Sequence, residues 1–249
     1  MAADSEVGIA VLLPDLLDTY SDAGNAHVLA QRLRWRGLAA RIVPVPSGAA
    51  PPTDCRLYLL GGGEDAAQDA AAGWLARHRA VLADAAEDAV VVAVCAGLQL
   101  LGHRTTDAAG VTREGLGLLD LTTRAAARRQ VGEAVSRSGL PGVGRLTGFH
   151  NHRGVSRLGP GAWPLARRER GPANDPSGQD EGALSATAAQ DPEGPGIVAT
   201  YLHGPVLARN PLLADHLLRR AVGEPMPELD PGRLPDVAGL RRRYLGARD

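Results

Sequence analysis

The chain has 249 residues, with 27 basic and 28 acidic side chains, 7 histidines, 2 cysteines, 44% hydrophobic residues and a formal charge of −1. That length can bury a sizeable core in one large α/β domain, and the balanced charge lacks the basic surplus that nucleic-acid binding requires. Cys55 and Cys95 cannot form a disulfide framework, Met1–Glu6 lacks the basic region of a signal peptide, and the longest apolar stretch, Ala89–Leu101, is too short for a transmembrane segment, so a soluble cytoplasmic protein is expected.

Ile9–Leu13 reads as a buried strand, and Gly24–Trp35 as a helix with Ala26, Leu29, Ala30 and Leu33 at helical spacing, ended by Gly37. Arg41–Val45 and Leu57–Leu60 read as further strands, the second stopped by Gly61-Gly62-Gly63. Ala70–Ala85 reads as a helix, and Val90–Val94 as a strand with the helix Ala96–Leu101 directly behind it. Strand-like pieces follow at Leu116–Leu121, Gly148–His150 and Ile197–Tyr201, then a helix at Pro211–Ala221. The composition of the Gly171–Gly182 loop predicts exposure and mobility. Uninterrupted apolar strands alternating with helices imply an α/β fold with a doubly wound, mostly parallel sheet flanked by helices. One domain over residues 1–222 and a Pro/Arg-rich tail over 223–249 are expected.

Ligands of open α/β sheets bind at the carboxyl ends of the strands. There, Val94-Cys95-Ala96-Gly97 has the layout of a nucleophile elbow, in which a sharp strand-to-helix turn lifts the side chain above the sheet. The helix start behind Cys95 is expected to lower its pKa toward the thiolate; the alternative is a cysteine packed as a small hydrophobe. The three glycines after Leu60 could present backbone N–H groups to a developing oxyanion, although an ordinary βα turn is the commoner reading. No P-loop is present, so any ATP must be bound by another chain. His203, at a strand end before Gly204-Pro205, stands where a general base for Cys95 would sit. His150 and His152 share a strand face and could ligate zinc, but no second cluster supplies further ligands, so no metal site is expected. His27, His78, His103 and His216 read as surface or partly buried residues, and Cys55 as core.

The combination resembles the class I glutamine amidotransferases of the cobyric-acid-synthase-like branch and, within it, the GatD subunits of lipid II isoglutaminyl synthases. The residues that carry it are Asp18–Asn25, Gly61–Gly63, Val94–Gly102, Gly115–Asp120, Gly148–His152 and Thr200–Pro205. This resemblance implies a flavodoxin-like fold in which Cys95 attacks the side-chain amide of L-glutamine and His203 protonates the departing ammonia. It places the oxyanion on backbone N–H groups of Gly62, Gly63 and Ala96, and the substrate among Arg129, Gln99, Asn151 and His152. Arginine suits the carboxylate because its guanidinium binds one bidentately.

There are departures from the family pattern. Pro205 stands where most class I enzymes carry the glutamate that orients the histidine, so the triad is incomplete within the chain and an acid from the partner is expected. His150 and Arg153 stand where the family more often has Glu and Gly, and Ala93 where the wider class has Gly. No cofactor is expected in this chain. The implied partner is a MurT-like Mur ligase, holding ATP and Mg, that receives the ammonia in a heterodimer and amidates D-glutamate of lipid II, so that the chain would be peripheral to the membrane through its partner. A cobyrinate-type acceptor, a non-catalytic scaffold of the same fold and a Cys-His hydrolase of the DJ-1/PfpI type are the alternatives.

Overall fold

The computed structural model describes residues 6–191, 193–223, 225–229 and 239. In chain order its elements are β1 (Val7–Leu12), a single 3-10 turn (Thr19–Ser21), α1 (Gly24–Arg34), β2 (Ala40–Val45), β3 (Leu57–Leu60), α2 (Asp65–Arg77), α3 (Arg79–Asp88), β4 (Val90–Val94) and α4 (Ala96–Leu101). They continue with β5 (Arg104–Thr106), β6 (Thr112–Glu114), β7 (Leu121–Ser138), β8 (Arg145–Leu158), β9 (Ala162–Trp163), β10 (Ala166–Arg170), β11 (Asp180–Glu181), β12 (Ala183–Ser185), α5 (Ala186–Gln190), β13 (Gly196–Thr200), α6 (Val206–Arg209) and α7 (Pro211–Val222).

The main sheet runs β2–β1–β3–β4–β13–β12–β9. Its first five strands are parallel, and β12 and β9 close it in antiparallel sense. Residues in β1, β3, β4 and β13 are buried on both faces, which is why these runs read as continuously apolar. Successive side chains point to opposite sides, so the strands feed two cores. Ile9, Val11, Leu57, Leu59, Val92 and Val198 pack with Leu29 and Leu33 of α1 and Leu217 of α7. Leu12, Tyr58, Leu60, Val91 and Ile197 pack with Trp74 and Leu75 of α2 and Leu82 of α3. Helices cover both faces, as a doubly wound sheet requires. No helix among the described residues is long and apolar enough to cross a membrane.

A second, mostly antiparallel sheet, β11–β10–β7–β5–β6 with β8 on β7, was not evident from the sequence. Its long ribbon, β7 with β8, pairs Leu121 with Leu158 at one end and Arg137 with Arg145 at the other, across an irregularity between Ala125 and Gln130. Much of β7 faces solvent and is built of Arg, Ala and Gly, so it carries little of the apolar signal that marks a strand.

Three further expectations are corrected. The helix expected over Ala70–Ala85 is two helices, broken at His78, whose backbone leaves the helical region (φ −107°) and whose ring packs on Trp74. The Leu116–Leu121 segment pairs as a strand only from Leu121; the N–H groups of Leu116, Leu118 and Leu119 instead donate to the carbonyls of Leu100 and Leu101 at the end of α4. The Gly171–Gly182 loop is tied down: Asn174 is buried, its Oδ1 accepts from Gly182 N at 2.7 Å, and Asp175 accepts from the backbones of Ser177, Gln179 and Asp180. Asx side chains bonding their own loop replace the missing apolar anchors. In the tail, Pro231, Pro235 and Arg241–Arg243 lie outside the described residues.

The two flanking helices α1 and α7 are locked by a buried ionic cluster. Arg32 donates to Asp215 through Nε at 2.7 Å and Nη2 at 2.6 Å, and Arg36 Nη2 lies 2.8 Å from the same carboxylate. Removing the anion strands two guanidiniums in the core. Asp215→Ala is therefore expected to destabilise the fold by about 3 kcal/mol, read in thermal unfolding as a midpoint lowered by roughly 6–12 °C. An unchanged midpoint would show that the arginines find water or other acceptors.

Candidate functional site

The parallel register sets Leu12 beside Leu60, Leu60 beside Ala93, and Val94 beside Thr200. Strand ends at one level bring their following turns to one edge of the sheet. Gly61–Gly63 follow β3, Cys95 follows β4, Tyr201–His203 follow β13, and the turn after β1 leads to Asp22.

Cys95 has φ 52° and ψ −104°, a conformation that L-residues rarely adopt, and it is the junction of β4 with α4. Two backbone bonds hold the turn: Cys95 N donates to Thr200 O at 2.8 Å, and Gly97 N to Gly61 O at 3.1 Å. A Cβ on Gly97 would come within 2.5 Å of Leu60 O, so only glycine lets the helix approach the sheet this closely. The expected elbow is present. The expected lowering of the thiol pKa is not: burial, followed by the Asp22 carboxylate, pushes Cys95 up to about 12 against the opposing backbone N–H of Ala96. At rest the sulfur is a thiol and needs a base.

A histidine lines the same cavity. His203 is 1% exposed, and its Nε2 is buried with no hydrogen-bond partner. Its backbone is fixed by reciprocal bonds with Phe149 of β8, at 3.0 and 3.3 Å. His203 Nδ1 lies 3.1 Å from Asp22 Oδ2 and 3.3 Å from Oδ1. A carboxylate only accepts, so Nδ1 carries the proton and Nε2 is left bare to take one. This corrects the expectation of an acid missing from the chain. Asp22 occupies the orienting place that Pro205 leaves open in sequence, and Pro205 instead packs against Gly24, where a Cβ would come within 2.7 Å of its ring. Asn25 braces the arrangement, donating to Asp22 O and accepting from Leu207 N, both at 2.9 Å.

Asp22 Oδ2 also accepts from Gly62 N at 2.9 Å. Of the expected oxyanion donors, Gly62 is thereby engaged, which corrects its assignment; Gly63 lines the cavity and Ala96 N–H is directed at the sulfur. Space is tight at all three glycines: a Cβ would lie 2.2 Å from the backbone Leu17 O at Gly61 and 2.8 Å from His203 Cε1 at Gly62, while at Gly63 it would meet the tip of the Leu17 side chain at 2.4 Å and Leu16 O at 3.0 Å.

A cavity of about 300 Å³ opens over the sulfur, at the lower end of the range for small-molecule sites. It gathers Cys95, His203, Gly63, Gln99, Arg129, Asn151 and His152 from both sheets. Arg129 Nη1 donates to Asn151 Oδ1 at 2.8 Å, and Asn151 Nδ2 donates to Tyr20 OH. Tyr20, itself at φ 61°, lays its ring 5.0 Å from that of His203. Gln99 Nε2 donates to Tyr201 OH at 3.1 Å. Both nitrogens of His152 are engaged, Nδ1 with Gly154 O at 2.9 Å and Nε2 with His150 at 2.7 Å. The amide ends of Asn151 and the ring nitrogens of His152 thus build the wall, while Arg129 keeps further donors for a carboxylate. Sequence reasoning missed Asp22, Tyr20 and Tyr201 as residues of the site. Asp22 and Tyr20 lay inside a motif that was noticed, but only a left-handed turn at Tyr20 and Ser21 aims them at His203.

Residues 8–211 match the CobB/CobQ-like glutamine amidotransferase domain family. The chain is similar to the lipid II isoglutaminyl synthase (glutamine-hydrolysing) subunit GatD of Staphylococcus aureus, 29% identical over 96% of this chain and 94% of the relative. It is likewise similar to the GatD subunit of Streptococcus pneumoniae, 29% identical over 87% of this chain and 81% of that protein. A crystal structure of a glutamine amidotransferase superposes with a TM-score of 0.56 at 18% identity, covering 86% of this chain and 99% of the other, and so shares the fold.

The raised thiol pKa has a direct consequence for reactivity. At pH 8 Cys95 should react with iodoacetamide at least about tenfold more slowly than free cysteine, whose pKa is about 8.5, as followed by mass spectrometry of its peptide. A rate matching free cysteine would mean that the resting sulfur is already the thiolate.

Proposed function

The chain belongs to the CobB/CobQ-like glutamine amidotransferase family, and we propose that within it the chain is the glutaminase subunit of a two-chain lipid II isoglutaminyl synthase. The observation that carries the catalytic part is the single cavity in which a strained Cys95 meets a His203 already oriented by Asp22. The similarity to two GatD subunits, along 94% and 81% of their lengths, supports the choice of acceptor.

In this reading the α-carboxylate of L-glutamine docks on Arg129, and its side-chain amide reaches Cys95. His203 Nε2 takes the thiol proton as sulfur attacks the amide carbon, and Asp22 stabilises the imidazolium that forms. The oxyanion is held by the backbone N–H groups of Gly63 and Ala96, in a site where such dipoles count for more than in water. His203 returns its proton to the leaving nitrogen, ammonia departs, and a γ-glutamyl thioester remains. Water, deprotonated by His203, then releases glutamate and the thiol.

Ammonia released into water at neutral pH would become non-nucleophilic ammonium, so a glutaminase of this kind needs an acceptor site close by. The partner is a MurT-like ligase that binds ATP and Mg, activates the α-carboxylate of D-glutamate in the lipid II stem peptide and receives the ammonia to form D-isoglutamine. No nucleotide-binding motif in this chain duplicates that step. The complex would work at the cytoplasmic membrane face, where the lipid-linked acceptor lies.

Ammonia release from glutamine by the purified chain, alone and with the ligase, tests this reading. Release should require Cys95, be abolished in Cys95→Ser and rise with the partner; none from a folded complex would overturn it. Asp22→Asn should lower kcat by about 10³-fold or more, as loss of the orienting acid does in Ser-His-Asp enzymes, with little change in KM. A kcat within a few-fold of the parent would show that Asp22 does not serve the base.

A further inference from the structure

Behind the cavity wall runs a buried chain of titratable groups that the glutaminase steps leave unused: Glu181, His150 and His152. Glu181 and His150 are each 0% exposed. Their hydrogen bonds fix where protons must lie. Gly154 O can only accept, so His152 Nδ1 donates to it at 2.9 Å. Burial, followed by the neighbouring His150, holds the His152 pKa down to about 3, so this ring is neutral and its Nε2 is bare. His150 Nδ1, 2.7 Å away, must therefore donate to it. The other nitrogen of His150, Nε2, faces Glu181 Oε2 at an ion-pair distance of 3.1 Å, and neither atom makes a hydrogen bond. If both lacked a proton, two lone pairs would face each other in a dry interior, a costly arrangement. The hydroxyl of Thr200 cannot relieve it: its oxygen accepts from Leu202 N at 3.0 Å while its proton goes to Glu181 Oε1 at 2.6 Å.

These contacts, Glu181 to His150, His150 to His152, and His152 to Gly154, need three protons, whereas two neutral imidazoles and a carboxylate bring two. We infer that Glu181, His150 and His152 form a buried relay holding one proton more than their neutral rings and carboxylate supply, and that through it Glu181 is a positioning residue for the glutamine pocket. The second part rests on the glutaminase reading above. Burial pushes the Glu181 carboxyl up, but the adjacent His150 and the hydrogen bonds it accepts outweigh this and hold it below its ordinary value.

The positioning follows from what the relay holds. His152 lines the cavity with its ring 4.2 Å from that of Tyr201, whose hydroxyl accepts from Gln99 Nε2. Glu181 Oε1 accepts from Tyr201 N at 2.8 Å as well as from Thr200. Thr200 O in turn accepts from Cys95 N. One carboxylate thus steadies the wall that faces the substrate and the strand end that seats the nucleophile, without touching a reacting atom.

The full chain carrying ¹⁵N-labelled histidine tests this with Glu181→Gln and Glu181→Ala. In Glu181→Gln the new amide donates to His150 Nε2 and its oxygen keeps Thr200 and Tyr201, so every hydrogen bond survives with one ring proton fewer. NMR of the imidazole N–H groups at neutral pH should show one protonated nitrogen lost relative to the parent. Labelling of Cys95 by 6-diazo-5-oxo-L-norleucine should have nearly parental constants in Glu181→Gln. In Glu181→Ala the half-saturating concentration should rise about tenfold, the effect of losing about 1.4 kcal/mol of hydrogen bonding, with the limiting rate nearly unchanged. An unchanged ring-proton count in Glu181→Gln, which serves even if Glu181→Ala fails to fold, would overturn the relay. A parental half-saturation in Glu181→Ala would overturn the positioning role. If the parent protein itself is not labelled by the analogue, the glutaminase reading fails instead, and with it the positioning role, while the ring-proton count still decides the relay.

Discussion

Three loops of this protein converge on the carboxylate of Asp22. It accepts from His203 Nδ1 after β13 and from Gly62 N after β3, and it stands on the left-handed turn after β1. A carboxylate that is 3% exposed is stable only when paired with donors, so its partners and its burial require each other. The close approach of the glycine loop, the seat of Pro205 on Gly24 and the bracing by Asn25 all serve to bring those donors to it. Because the bare nitrogen of His203 is a result of the proton on the other, this interaction also sets which way a proton can move.

The two sheets divide the work. The parallel sheet, filled from both faces, supplies the strand ends that carry Cys95 and His203 to the cavity. The antiparallel ribbon brings Arg129 on β7, and Asn151 and His152 on β8, to the same cavity. The sheets are stitched together at the bridge between Phe149 and His203, so His203 lies on the seam. A high thiol pKa fits this division. A sulfur that burial holds as a thiol reacts slowly with stray electrophiles.

The strands of the parallel sheet were legible in chain order because each is a short, largely apolar run, as in Leu57–Leu60 before its glycines. Cys95 and His203 could be read as a pair because both follow such strands. Asp22 could not, since nothing in a polar stretch states that Tyr20 and Ser21 adopt positive φ and turn it inward. Glu181 was hidden for a different reason: it lies in a two-residue strand, β11, within a stretch of loop-forming composition, and its burial depends on long-range contacts with His150 and Thr200. The ribbon of β7 was missed because exposed strands need no alternation of apolar side chains. Local pattern thus reported the interior well and was silent where solvent-exposed backbone pairing or a distant partner decides the structure.

The glycines at 61, 62 and 63 have an evolutionary corollary. Every amino-acid replacement reachable from a glycine codon by one nucleotide change adds at least a Cβ, and at each of these positions that atom would fall within 2.8 Å of a neighbour. The loop therefore has no mild mutational neighbours. Its sequence can drift only if Leu17, His203 or the elbow shifts in the same lineage, so this stretch should change rarely and in concert, while exposed ribbon residues away from the cavity, such as Arg124 and Arg128, can turn over one at a time.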